Sequence, residues 1–302
     1  MTSRTPQRAP GRFKPLAPAP AAPQRLPEWF KIKHVLSPKY EEVRGIMDRH
    51  DLHTVCREAN CPNARECWHH GTATFMILGD VCTRGCTFCD VMKGQPTVTD
   101  WAEPARVADA AAEMGLRYVV VTSVDRDDLP DGGAEMFART IRALRHRVPG
   151  IEVEVLIPDF QGDPEALRVV LEAEPDVLNH NLETVPRLYT TVRRGAKYQQ
   201  SLDLLRQART ISPRITIKSG LMVGLGERTG ELLQTMRDIR DTGCDLLTIG
   251  QYLAPSREHH PVVNFVTPRT FERLGHYGNA LGFRNVFSGP LVRSSYHAFE
   301  ER

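Results

Sequence analysis

The residues of this 302-residue chain best suited to chemistry are its cysteines: seven in all, six of them between Cys56 and Cys89. Three sit in the run Gly79-Asp80-Val81-Cys82-Thr83-Arg84-Gly85-Cys86-Thr87-Phe88-Cys89, a CxxxCxxC spacing with an aromatic residue just before the third thiol. Three thiolates this close together hold three irons of a 4Fe-4S cage and leave the fourth iron without a protein ligand. An iron left open in this way can chelate the amino and carboxylate groups of a small molecule. Gly85 lets the backbone wrap closely around the cage. The competing reading is zinc, which prefers four closed ligands, commonly as two pairs, and a lone CxxxCxxC trio does not supply them.

A second trio lies upstream in Cys56-Arg57-Glu58-Ala59-Asn60-Cys61-Pro62-Asn63-Ala64-Arg65-Glu66-Cys67, a CxxxxCxxxxxC spacing that again lacks a fourth thiolate. Two readings stand side by side. His69 or His70 completes a three-cysteine, one-histidine zinc site, or the trio holds a second iron–sulfur cluster whose fourth ligand comes from elsewhere in the chain. Cys244, between a helix end at Gly243 and a strand, reads as a small buried hydrophobe. Thiols grouped in this way, rather than paired, point to a reducing compartment, and a cytoplasmic location is expected.

Ligands need elements to hold them. From residue 74 onward, short β-branched runs alternate with helical segments that end at Gly or Pro. The runs are Thr74–Leu78, Tyr118–Thr122, Ile151–Leu156, Val177–Asn181, Ile215–Met222 and Leu246–Leu253. Between them the pattern predicts helices over Pro104–Met114 (stopped by Gly115), Ala134–Val148, Pro164–Glu174, Gln199–Ile211 and Gly230–Thr242. A last helix opens at Thr267-Pro268 and runs towards Gly282, before a short strand at Asn285–Ser288. Strand alternating with helix means a parallel sheet with right-handed crossovers. A full eight-unit barrel takes about 250 residues, and only six units fit here. The expected α/β fold is a partial (βα)6 TIM-like barrel, open at one side, with its site at the C-terminal strand ends.

The loops at those ends carry further polar candidates. Side chains alternate along a strand, so Asn179, Asn181 and Glu183 share one face and are expected to point into the barrel. Lys218 on the fifth strand, Asp125 after the second and Arg194 beyond the fourth join them as candidates to bind a cofactor or a substrate amide. His50, His53, His259 and His260 read as exposed or internally satisfied. Gly224-Leu225-Gly226-Glu227 is not a dinucleotide fingerprint, because Thr229 stands at the third glycine position.

Composition excludes other classes. Lys and Arg total 39 against 37 for Asp and Glu, a net charge of +2, which lacks the cationic excess of a nucleic-acid binder. An apolar fraction of 41% with 25% charged residues suits a globular core. No apolar run is long enough for a membrane span, and the basic N-terminus has no apolar signal region. Residues 1–26, rich in Pro and Arg and free of acid, read as a disordered leader. Residues 27–72 then form an extension carrying the second trio, 73–290 the barrel, and 291–302 a C-terminal segment.

The CxxxCxxC loop after the first strand of a partial barrel resembles the radical S-adenosylmethionine (SAM) superfamily. That resemblance implies that the open iron binds SAM and that one electron from the cluster cleaves its sulfonium, giving methionine and a 5′-deoxyadenosyl radical. The second trio and Arg293-Ser294-Ser295-Tyr296 narrow it, together with Asn179-His180-Asn181-Leu182-Glu183-Thr184 and Lys218-Ser219-Gly220-Leu221-Met222-Val223-Gly224-Leu225-Gly226-Glu227. From about Leu26 to His297 the chain resembles the lipoyl synthase family. The resemblance implies two 4Fe-4S clusters, the second held by Cys56, Cys61, Cys67 and Ser295, and SAM as co-substrate. It implies insertion of two sulfurs into a protein-bound octanoyl-lysine, taken from the second cluster. A hard serine oxygen suits that loss, because it is a mismatched ligand in a soft sulfide cage. The implied partners are an octanoylated lipoyl-carrier domain (of 2-oxoacid dehydrogenase E2 or glycine cleavage H protein type), an electron donor such as ferredoxin or flavodoxin, and a cluster-rebuilding Fe-S carrier, with neither nucleic acid nor membrane. The alternatives are another radical SAM sulfur enzyme, of methylthiotransferase or biotin synthase type, and a non-catalytic iron–sulfur or zinc scaffold.

Overall fold

The computed structural model describes residues 25–30, 38–59, 61, 63–69, 74–96 and 98–295. The leader expected over 1–26 lies outside these except for Arg25 and Leu26, as do His70 and Tyr296. The strands in chain order are β1 (His53–Thr54), β2 (Thr74–Ile77), β3 (Val81–Cys82), β4 (Met92–Lys93), β5 (Tyr118–Ser123), β6 (Glu152–Leu156), β7 (Val177–Asn179), β8 (Thr216–Val223), β9 (Leu246–Gln251) and β10 (Asn285–Gly289). One eight-stranded sheet runs β1-β2-β5-β6-β7-β8-β9-β10. Its β1–β2 pair is antiparallel and its other pairs are parallel. β3 and β4 form a separate parallel pair that brackets the first cysteine loop, with Cys82 in β3.

Helices Glu103–Glu113, Ala134–Arg147, Pro164–Glu172, Tyr198–Ile211, Thr229–Arg240 and Pro268–Ala280 connect β2 to β10, each between two parallel strands. These are the six expected βα units, and β10 adds a seventh parallel strand. Local chemistry sets their ends. Asp163 accepts from Glu165 N and Thr267 from Thr270 N, each just ahead of a proline in the first turn. Gly115 has φ +66° and stops the first helix in the left-handed conformation.

Alternation divides the barrel strands between an outer and an inner face. Val119, Val121, Val153, Val155, Leu178 and Ile217 point outward and are buried. They form one core with Val107, Phe137, Ile141, Leu167, Val170, Leu205 and Ile239 of the helices. The inner face is polar at its base. Glu154 and Lys218, both fully buried, pair at 3.1 Å. Asn179 Nδ2 donates to Glu154 Oε1 at 3.0 Å and Tyr118 Oη to Glu154 Oε2 at 2.6 Å. A buried charge is tolerated only when paired and hydrogen-bonded in this way. These four residues make the floor of the barrel.

The N-terminal segment, which has no strand–helix periodicity, folds as helix Pro38–Arg49, strand β1 and two short helices, Val55–Glu58 and Ala64–His69. β1 hydrogen-bonds to β2, which seats the second trio beside the first barrel strand.

Candidate functional site

Above the floor lies a cavity of about 470 Å³ at the C-terminal strand ends. Cys82, Cys86 and Cys89 line it on one side, and Cys56, Cys61 and Ser295 on another. Cys67 is half-buried against the core and does not line the cavity. Members of both trios therefore border one chamber.

The first trio is fixed by the barrel. Leu78, at the end of β2, takes the left-handed backbone (φ +69°), and its N–H is held by the buried Glu103 carboxylate at 2.7 Å. The chain then swings into the cysteine loop. Thr83 N donates to Asp125 O at 3.0 Å, and Asp127 N donates to Thr83 Oγ1 at 3.1 Å. Arg84, with only 5% of its side chain exposed, grips Asp127 through two bonds of 2.7 and 2.8 Å and Asp159 through one of 2.5 Å. Such a forked guanidinium pairing fixes orientation as well as charge. Thr87 N donates to Val192 O at 2.9 Å from the far side.

Neither trio is built for a single ion. A tetrahedral zinc with bonds near 2.3 Å sets its sulfurs about 3.8 Å apart. Among the described residues, His53, Glu58 and Asp80 are the one group of three His, Cys, Asp or Glu ligands whose donor atoms all lie within 4.8 Å of one another. In neither cysteine trio do all three sulfurs lie within that distance of one another, so neither is closed around one small ion. Burial pushes the Cys56 and Cys82 thiols up to about 11 and Cys86 to about 12. Such thiols are poor nucleophiles in themselves, and a bound metal must displace their protons. Counter-charge is at hand. The Arg193 guanidinium lowers Cys86, and Arg293 stands in the fields of Cys61 and Glu183. The donor set thus fits two clusters, one at each trio.

The expected polar residues divide. Asn181 and Glu183 line the cavity, and Asn181 Nδ2 bridges to Glu183 Oε1 at 3.1 Å. Glu183 has φ +67°, a strained backbone for a non-glycine residue, held by Glu183 N→Gly220 O at 3.0 Å and Met222 N→Glu183 O at 2.8 Å. Asp125 also lines it, 3.7 Å from Cys82 Sγ. Three candidates fall elsewhere. Asn179 and Lys218 do point inward, but one layer too low, where Glu154 engages both. Arg194 is exposed, and it is Arg193 that turns inward to the cavity. Helix Tyr189–Val192 decides between the two. Arg193 lies one turn beyond Tyr189 and bonds its hydroxyl at 3.0 Å, Ser201 Oγ at 2.9 Å and His180 Nε2 at 3.4 Å.

His259 and His260 are satisfied within the protein, as expected, and what the sequence did not show is that their loop holds the first cysteine loop. His260 N donates to Thr87 O at 2.8 Å, and His259 Nε2 lies 3.1 Å from Cys89 O. A carbonyl only accepts, so Nε2 carries the proton and Nδ1 accepts from Ser256 Oγ at 2.8 Å. Adjacent histidines in a loop after a barrel strand were the available signal.

A parallel partial barrel with a three-cysteine loop at its first strand end is the frame of a radical SAM protein. Residues 76–239 match the model of the Radical SAM superfamily. Among solved structures, methylornithine synthase (PylB) covers 87% of this chain and 82% of its own at TM-score 0.54 and 13% identity. HydG, a maturase of the FeFe-hydrogenase, covers 84% and 57% at TM-score 0.56 and 14% identity. These likenesses concern the fold. Sequence relatives go further. The lipoyl synthase of Rubrobacter xylanophilus is 56% identical over 91% of this chain and 86% of its own length. That of Methylococcus capsulatus is 54% identical over 95% and 89%. The chain belongs to the lipoyl synthase family of radical SAM enzymes.

Proposed function

We propose that this chain inserts two sulfur atoms, at carbons 6 and 8, into an octanoyl group carried on a lysine of a lipoyl-carrier domain. What supports the reading is the single chamber bordered by Cys56, Cys61, Cys82, Cys86, Cys89 and Ser295. A carbon radical is short-lived, so hydrogen removal and sulfur capture require both tools against one guest. The proposed division is 27–72 for the extension, 73–290 for the barrel and 291–302 for the closing segment.

Cys82, Cys86 and Cys89 hold the cluster that receives SAM, and Cys56, Cys61, Cys67 and Ser295 hold the other. When bound, the first cluster supplies the electron that cleaves SAM and the second supplies sulfide. Asp125, Glu183 and the unpartnered Oδ1 of Asn181 present acceptors at the strand ends, where SAM hydroxyl and amino groups and the substrate amide N–H need partners. Arg193 takes the place expected of Arg194. Its buried charge offsets the anionic first cluster, and Arg293 does the same at the second. Asn179 and Lys218 close the floor and so keep water from a radical site.

The carrier is of the 2-oxoacid dehydrogenase E2 or glycine cleavage H type, the reductant is a ferredoxin or flavodoxin, and an Fe-S carrier rebuilds the second cluster. No helix of the described residues is long and apolar enough to cross a membrane, and a cytoplasmic site is proposed. Mass spectrometry of an octanoylated carrier peptide, after anaerobic incubation with SAM and dithionite, tests the reading. The expected product carries two sulfurs in place of two hydrogens, with about one product per chain. An unaltered peptide alongside free 5′-deoxyadenosine would overturn it.

A further inference from the structure

Two serines of identical chemistry, Ser294 and Ser295, stand next to each other where the chain crosses the cavity. Something must decide which of them meets the second trio. The segment Leu291–Ser295 is fastened at three points. Asn63 Nδ2 donates to Leu291 O at 2.7 Å, from within the loop between Cys61 and Cys67. The Val292 carbonyl passes so close to β9 that a Cβ on Gly250 would stand 2.0 Å from its oxygen. Asn181 Nδ2 donates to Ser294 Oγ at 2.6 Å.

The orientation of that last amide is fixed independently. Nδ2 also reaches Glu183 Oε1, and a carboxylate accepts only. Asn181 therefore holds the tail from the barrel side while Asn63 holds it from the side of the second trio. Ser294 and Ser295 lie in a turn, so what separates them is the partner each hydroxyl finds. The hydroxyl at 294 is taken up at the strand end, which leaves the one at 295, on the wall of the same chamber, to meet the second trio.

We infer that the Asn181–Ser294 hydrogen bond sets the register of the tail, so that Ser295 and not Ser294 is offered to the second cluster. Ser294 is then a positioning residue for the sulfur donor. The inference rests on the proposed ligation by Ser295 and adds what selects it. Gly250 is part of the same device, since only a residue without a side chain lets Val292 lie in this register.

The test compares Ser294→Ala, Ser294→Thr and Ser295→Ala in the full chain loaded with both clusters. Two readouts are taken: the Mössbauer spectrum, and amide hydrogen exchange over residues 291–295. Ser294→Ala is expected to speed exchange of the tail about fivefold, the factor one net hydrogen bond carries. It should also convert part of the second cluster to a three-iron form. Ser294→Thr keeps the hydroxyl and should restore both readings. Parent-like exchange and spectrum in Ser294→Ala would overturn the register role, while an altered spectrum in Ser295→Ala shows that ligation itself stands. A parent-like spectrum in Ser295→Ala would instead remove the ligation reading, and the register role with it.

Discussion

The two cysteine trios differ less in their ligands than in what grips them. The loop of Cys82, Cys86 and Cys89 is bound from several sides: by Asp125, Asp127 and Asp159 through Thr83 and Arg84, by Thr191 and Val192 through Thr87, and by His259 and His260 from beyond β9. Its central charges, Arg84 and Asp159, are buried and paired. The segment of Cys56, Cys61 and Cys67 sits on two short helices whose backbone bonds are local, such as Cys61 N→Cys56 O and Cys67 N→Asn63 O. Asn63 and Leu291 join it to the far end of the chain. A cluster that works repeatedly needs a rigid cradle, and one that is dismantled and rebuilt needs an opening. The contrast in anchoring matches the contrast in proposed duty.

Cys86→Ala probes the comparison most severely. It should reduce 5′-deoxyadenosine formation to background, and normal nucleoside output would end the assignment of the first trio. Cys56→Ala is expected to keep SAM cleavage and lose the dithiolated peptide. Lipoyl product from that variant would mean that both trios do not serve one reaction. Arg84→Gln attacks the cradle rather than a ligand. It leaves Asp159 buried without its cation, which costs about 3–5 kcal/mol. Thermal unfolding should shift down and iron should be lost from the first trio ahead of the second. Equal loss from both would erase the difference in anchoring.

The smallest effect expected is on pH. Burial and the neighbouring Arg193 cation hold His180 neutral, with its pKa lowered to about 4, so the unfolded chain binds the proton first. Stability is then full above about 6.5 and falls by about 3 kcal/mol as pH drops towards 4. Denaturant titrations at stepped pH should show this slope, and His180→Gln should flatten it. An unchanged slope in the variant would place the acid sensitivity elsewhere.

Much of the barrel was legible because parallel strands and amphipathic helices differ in period, and the six helices lie within a few residues of the expected bounds. The cysteine spacings were equally plain, since ligand geometry is local. What periodicity does not carry is depth. Asn179, Asn181 and Glu183 share a face as expected, yet strand β7 ends at Asn179, and only the later two reach the chamber. Lys218 also sits below the chamber, paired to Glu154 on β6, a partner that is invisible along one strand. Arg193 and Arg194 differ by the phase of a four-residue helix, too short to leave a pattern. Helix Pro38–Arg49 and strand β1 went unread because the second trio's segment lacks the βα rhythm.

The Asn63–Leu291 contact joins residues 228 positions apart and encloses the whole barrel between its ends. A closure of that span is favoured only once what lies inside it has folded and shortened the loop, because the loop entropy is otherwise unopposed. In a chain made from its N-terminus, the acidic and Val192 part of the first trio's cradle is synthesised well before the last clasp, and only its histidine loop comes late. Assembly thus has a built-in sequence: the igniter's seat is finished first, and the consumable's seat is buttoned shut last.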